Sequence, residues 1–392
     1  MRIIQKVYRM TKKVLLLSHI PPFPVIGGDR VRVAQGLGYL AQNYKTDIAY
    51  ITHDPKVVQM KAYLPEINEE YRFYIPRLRR YMQAFRTLYN GKAEIVNHYD
   101  NKCFRDFVNA HIHEYDFVLC GSVAMAGYIL GRKDVRAYMD MTDSLSMNRF
   151  NAAMVARGIW KYLYRMESKR LAEYEKKCLR EFRRVAYISQ IDADFIAGGD
   201  KMIIGNTVAE VAASDCCRHN TDSFDIVFIG KMDYSPNILA AEFFASQVMP
   251  RIETDCSFYI VGVNPTSAVL GLGEMPDIRV TGFVESIAPY MQRAAIVVAP
   301  MLSGSGVQNK ILEAMAHGCC VVTTPKGLEG IEHLRDALVV CEPDAKVMAK
   351  AVTSLLKNSE LRAEKGRRAR CSVCENFGRE RINAQYRDFF SE

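Results

Sequence analysis

Short apolar runs alternate with helical stretches along all 392 residues, and this alternation narrows the possible folds more than any other feature. Apolar runs at 14–18 (VLLLS), 47–52, 117–120, 135–140, 185–189 and 202–204 predict strands, with helical patterns at 29–44, 101–113 and 157–184 between them. A strand that reaches the next only through a helix must run parallel to it, so a parallel sheet with helices on both faces is expected. The polar stretch SDCCRHNTDS at 214–223 interrupts the pattern, and a new strand begins at Phe224. The grammar then repeats, with strands at 226–229, 258–261, 278–280, 296–299, 320–323 and 338–341 and helices at 238–248, 307–317 and 345–356. A chain of this length exceeds one ordinary core. The reading is therefore α/β with two Rossmann-like domains, at 1–213 and 214–375, and a terminal helix in 376–392. Ligands of such open sheets bind beyond the carboxyl ends of the strands.

Hydrophobic residues make up 49% and charged residues 24%, the usage of a globular protein and not of a disordered one. No apolar run approaches the roughly 20 residues that cross a bilayer, and the run at 14–17 reads as a first strand, not a signal peptide. Eleven cysteines without secretory targeting point to reduced thiols and a cytoplasmic location. Cys371 and Cys374 form a CxxC with no second pair to complete a zinc site, so neither a metal nor a cofactor is expected. Residues 1–196 hold 32 Lys and Arg against 20 Asp and Glu, so the net charge of +8 resides in the N-terminal half. Its strongest excesses lie at 1–13 and 157–184. They suit either an anionic membrane surface, with peripheral attachment, or a plain solvated helix face; a nucleic-acid partner is not expected.

The sharpest local pattern is APMLSGSGVQNKILEAMAHGCCVVTT at 299–324, a strand, a glycine turn, a helix and a further strand. Gly304 and Gly306 allow a tight bend, and the turn feeds a helix N-terminus whose free N–H groups favour an anion such as a diphosphate. Lys310 adds a cation one turn in. Glu313, three residues on, can accept hydrogen bonds from vicinal sugar hydroxyls; the plainer alternative is a helix cap with a surface ion pair. Asp140 and Asp143, at the end of a predicted strand, either orient or deprotonate an acceptor hydroxyl or cap the next helix. Asp192 and Asp194 spell the metal-binding DxD but stand at a predicted helix start, and His19, His98, His111 and His113 assemble no triad or metal set.

Four segments together resemble glycosyltransferase family 4: IGG at 26–28, VFIGKMDYSPN at 227–237, VTGFVESIAPYMQRAAIVVAP at 280–300 and KILEAMAHGCCVVTT at 310–324. YMDMTDSLS at 138–146 and the pattern E..RLAEYEKK at 167–177 are similar to its exopolysaccharide-associated sugar transferases. The resemblance implies the GT-B fold, two facing Rossmann-like domains with a cleft between them and a last helix that crosses back to the first domain. That would give Ile382, Tyr386, Phe389 and Phe390 a core to bury. It implies a retaining transferase that takes sugar from a nucleotide diphosphate sugar and passes it to a glycan or lipid-linked acceptor, the departing phosphate receiving the acceptor's proton. Glu313 would bind the nucleotide ribose. The family's partner glutamate, eight residues earlier, is replaced by Ser305, which with its loop amides would face the donor sugar. Lys231 would face the diphosphate. The lysine usual near 235–237 is missing, so Lys310 would supply that charge, and Gly27 and Gly28 would approach the donor phosphates across the cleft. Two alternatives stand beside this reading: a GT-B 2-epimerase of nucleotide sugars, and a silent sugar-nucleotide-binding subunit.

Overall fold

The computed structural model describes residues 12–391 apart from 26, 58, 213, 215, 218–224 and 305. The basic stretch 1–11, the strand start expected at Phe224 and the donor-loop candidate Ser305 lie outside the described residues. The chain forms two compact units, one of Met1–Asn206 with Asn383–Glu392 and the other of Thr207–Ile382. The expected division stood at 213/214 and 375/376.

The first unit is built on seven parallel strands in the order β3-β2-β1-β4-β5-β6-β7. They are β1 (Lys13–Ser18), β2 (Lys45–Thr52), β3 (Glu69–Tyr74), β4 (Phe117–Cys120), β5 (Arg136–Thr142), β6 (Arg184–Tyr187) and β7 (Lys201–Ile203). β1 and β4 are continuous apolar runs because helices cover both faces of the sheet, and every residue from Val14 to Leu17 is buried. Strand β3 (EEYRFY) is absent from the sequence reading because it is an edge strand, half exposed and rich in charge. Its Glu70 is held in place by the Tyr50 hydroxyl, which donates at 2.6 Å, and by the Met60 N–H at 2.7 Å. Helix α1 (Gly28–Asn43) follows β1. After β5 comes a helical hairpin, α2 (Leu145–Val155) and α3 (Gly158–Glu181). Ser144 caps α2, its Oγ accepting from the Met147 N–H at 3.4 Å. Neither Asp140 nor Asp143 takes that part, so the helix-cap alternative for them does not hold.

The second unit has six parallel strands in the order β10-β9-β8-β11-β12-β13. They are β8 (Asp225–Ile229), β9 (Ser257–Val261), β10 (Ile278–Gly282), β11 (Ala294–Ala299), β12 (Val321–Thr323) and β13 (Val339–Val340). Its helices include α4 (Ser235–Phe243), α5 (Asn309–Ala316), α6 (Ala345–Leu356) and α7 (Ser359–Phe377). Two apolar clusters cover the two faces of this sheet, one containing Phe228, Phe244 and Phe258 and the other Val227, Ile311 and Leu312.

The last helix, α8 (Arg379–Phe389), carries the chain back into the first unit from residue 383 onward. Tyr386 stacks on Tyr39 with ring centroids 5.1 Å apart, Phe389 lies 5.4 Å from Tyr138, and Phe390 lies 5.0 Å from Phe117. Arg184 ties down the end by donating to the Asp388 carbonyl at 2.6 Å. Aromatic side chains buried in this way bring large apolar areas out of water, which is why the helix docks.

Candidate functional site

In the second unit the strand order reverses between β8 and β11, and chain leaves the carboxyl ends of these neighbours in two crossovers. Such a switch point opens a crevice for ligands. The crossover after β8 passes through Gly230 and Lys231 into α4. The crossover after β11 runs through Gly304 (φ +110°) and Gly306 (φ +74°) into α5. Both glycines lie in the left-handed region, where a side chain would strain the turn. Gly304 also passes close to Pro236 at the start of α4.

One side-chain bridge spans the switch point. The Lys310 ammonium on α5 donates to Asn237 Oδ1 on α4, sits 3.5 Å from Met301 Sδ and lies 4.9 Å above the centre of the Phe228 ring. Asn237 in turn donates from Nδ2 to the Lys231 carbonyl at 2.9 Å. Burial lowers the Lys310 ammonium to about 7, an effect that Glu313 opposes. The resemblance places a lysine near 235–237; Asn237 stands there, and Lys310 reaches across to it. Asn237 is a site residue that the sequence reading missed, since nothing in VFIGKMDYSPN marks one asparagine as the partner of a lysine 73 positions away.

Glu313 lies on α5 three residues beyond Lys310, half-buried, and its carboxylate makes no hydrogen bond or ion pair among the described residues. Burial raises its carboxyl to about 7, with Lys310 opposing. A desolvated acceptor left unpaired in a protein is costly unless a ligand satisfies it. The N-cap residue of α5, Gln308, makes no side-chain cap hydrogen bond. Lys231 is exposed and pairs with Asp233 at 3.3 Å. Lys231, Lys310, Gly304, Gly306 and Glu313 thus all lie on the two crossovers that flank one switch point.

In the first unit the two aspartates have different surroundings. Asp140 is buried, accepts from Arg32 Nε at 2.7 Å and takes the Thr142 N–H at 3.2 Å. Arg32 also donates to the carbonyls of Ile204 and Gly205, at 2.6 and 3.1 Å. Asp140 is therefore closed inside an ion pair that joins α1, β5 and the segment after β7. The structure corrects its expected place facing an acceptor: it positions its neighbours and offers no open oxygen. Asp143 is the reverse case. It follows Thr142, a β-branched residue held at φ +64°, whose carbonyl accepts from the Ile188 N–H at 2.8 Å. Such backbone strain persists only where surrounding contacts enforce it. Asp143 is half-buried and makes no hydrogen bond or ion pair among the described residues. Burial, followed by the nearby charges of Asp192, Asp29 and Asp140, raises its carboxyl to about 7 against the pull of Arg32. Asp29 lies in the first turn of α1, directly after Gly27 (φ +92°) and Gly28, so the glycine loop and Asp143 share one neighbourhood.

The other candidates are engaged elsewhere. Asp192 accepts from the Ser144 N–H at 2.9 Å and from the Ser189 hydroxyl at 2.5 Å, while Asp194 is exposed and takes Gln190. The DxD thus builds a helix start. His98 pairs with Glu94 at 3.5 Å and His111 with Glu114 at 2.8 Å. Among the described residues, no group of three or more His, Cys, Asp or Glu is placed to hold a metal ion, and no helix is long and apolar enough to cross a membrane. A cavity of about 460 Å³ in the first unit is lined in part by Arg105, Arg170 and Tyr174. Its arginines are already spent on Asp100 and the Thr87 carbonyl.

Residues 223–358 match the family model described as Glycosyl transferases group 1. No curated protein matches the chain by sequence. Solved structures do match in shape over nearly the full length. Anabaena HepE in complex with UDP-glucose is 13% identical, with 96% of this chain and 98% of that one covered and a TM-score of 0.66. A variant of S. aureus TarM in complex with fondaparinux, α-GlcNAc-glycerol and UDP is 11% identical, with 97% and 100% covered and a TM-score of 0.68. WaaG, a glycosyltransferase involved in lipopolysaccharide biosynthesis, is 12% identical, with 96% and 98% covered and a TM-score of 0.65. What is shared at such identities is architecture, and with two Rossmann-like units, each around its own parallel sheet, this chain has the GT-B fold.

Proposed function

We propose that the chain is a glycosyltransferase that moves a sugar from a nucleotide diphosphate sugar, bound by the second unit, to a glycan or lipid-linked acceptor in polysaccharide or glycoconjugate biosynthesis. The observation that carries this reading is the unpaired, half-buried Glu313 carboxylate beside Lys310 at the β8/β11 switch point, inside the segment that matches the group 1 model. In this reading Glu313 accepts hydrogen bonds from the ribose hydroxyls. The turn at 304–306 and the α5 N-terminus seat the diphosphate, whose arrival restores full charge to Lys310. Lys231 adds a second cation from the surface. UDP is the first nucleotide to try, since HepE and TarM were both captured with it.

Transfer breaks the bond between the anomeric carbon and the diphosphate oxygen and forms one from the acceptor oxygen to that carbon. With retention, both events occur on one face of the sugar and the acceptor's proton passes to the departing diphosphate. The protein's task is then to stabilise charge on the leaving group and to align the acceptor. Asp143, with a carboxyl near neutrality, is suited to take a hydrogen bond from the acceptor hydroxyl. Calorimetric titration of UDP and GDP into the protein tests the donor site. One of them binds the wild type, and Glu313→Ala weakens it about 10- to 100-fold, as expected when hydrogen bonds to a charged group are lost. Failure of both nucleotides to bind, or equal binding by the variant, removes the reading. Release of labelled sugar onto a membrane extract then separates a transferase from a silent binding subunit.

A further inference from the structure

The base of the α2–α3 hairpin is rigid. Ser146 donates to Glu175 from its hydroxyl at 2.6 Å and from its backbone at 2.9 Å, and Ser168 donates to the Ser146 carbonyl at 2.9 Å. The tip is a different surface. From Arg157 to Tyr162 every residue is exposed, and the turn between the helices places Gly158 at φ +60°. Between residues 154 and 162, Met154 is 59% exposed, Val155 84%, Ile159 68%, Trp160 61% and Tyr162 68%. So dense a cluster of large apolar side chains on a fixed scaffold marks an interaction surface.

The charge around the cluster selects its partner. Residues 144–166 contain Arg149, Arg157, Lys161 and Arg165 and no Asp or Glu. Arg157, Lys161 and Arg165 have no acidic partner among the described residues. A second copy presenting the same tip would bring like charges together. An anionic bilayer offers the complement, with phosphates for the cations and an apolar boundary in which Trp and Tyr rings sit with their polar edges wet. We infer that the tip of the α2–α3 hairpin docks into the headgroup region of an anionic lipid bilayer, with Val155, Ile159 and Trp160 inserted and Arg157, Lys161 and Arg165 on the phosphates. The inference stands apart from the transfer chemistry, because docking requires no donor and its test measures none.

Trp160 is the single tryptophan of the chain, so the full-length protein reports on its own tip. The protein is titrated with vesicles of phosphatidylcholine alone and of phosphatidylcholine mixed with phosphatidylglycerol. Vesicles containing phosphatidylglycerol bind, shift the tryptophan emission to the blue and quench it when the lipid is brominated close to the headgroup; vesicles without it do neither. Arg157→Glu with Lys161→Glu, and Val155→Glu with Ile159→Glu, each weaken vesicle binding about tenfold or more while the melting curve stays in place, since all four side chains are exposed. Binding without an emission change would show another face docking. Equal binding to both vesicle types would remove the electrostatic part, and no binding together with self-association abolished by either variant would show a contact between copies; each result overturns the proposal.

Discussion

Replacing Asp143 by Asn should stabilise the first unit at alkaline pH while it impairs transfer. The carboxyl is raised from 3.8 to about 7, chiefly by burial and then by Asp192, Asp29 and Asp140. The folded chain therefore holds a proton that the unfolded chain releases, and stability falls as pH rises from about 4 to about 7 before levelling off. About three units at 1.36 kcal/mol each give about 4 kcal/mol for a fully enclosed group, and roughly half of that for one that keeps a solvent-facing edge. Asn fills nearly the same volume and cannot ionise. At pH 8 the variant should melt about 4 to 8 °C above the wild type, whereas at pH 4 the two should melt alike. Transfer should drop about tenfold, the difference between a hydrogen bond from the acceptor hydroxyl to a carboxylate and one to a neutral amide oxygen. Differential scanning calorimetry at the two pH values, with initial rates on the same samples, measures both effects. A variant that melts below the wild type at pH 8, or that transfers normally, would refute the argument from burial and like charge.

Three further outcomes follow from the contacts of Lys310 and Arg32. Lys310→Ala should lower turnover at least about tenfold with the fold intact. Nucleotide binding by the wild type at pH 8 should take up protons as Lys310 regains its charge, seen by calorimetry in buffers of different ionisation enthalpy, and Lys310→Met should abolish that uptake. Arg32→Met leaves Asp140 charged and unpaired in the interior and should cost about 3 to 5 kcal/mol in urea unfolding, most of it recovered by the double change with Asp140→Leu.

Much of the architecture was legible from local pattern. Twelve of the strands fall on apolar runs in the sequence because both sheet faces are covered; the spacing of Ile382, Tyr386 and Phe389 marks the last helix, while its return to the first unit was implied by the family resemblance. β3 escaped because an edge strand tolerates Glu69, Glu70 and Arg72, which blur the apolar signal. α2 escaped because its tip residues, from Met154 onward, are exposed apolar groups that disturb the helical period.

The chain's own order of residues determined the strand and helix grammar, the glycines at 304 and 306 and the position of Glu313 one turn into its helix, since these depend on neighbours a few positions apart. Tertiary structure alone decided which of two nearby aspartates is sealed by Arg32 and which stays open, and that Lys310 is gripped by Asn237. Both outcomes depend on burial and on charges brought together from distant strands, and the free energy of an ionisable group is set by what surrounds it in space, whatever precedes or follows it along the chain.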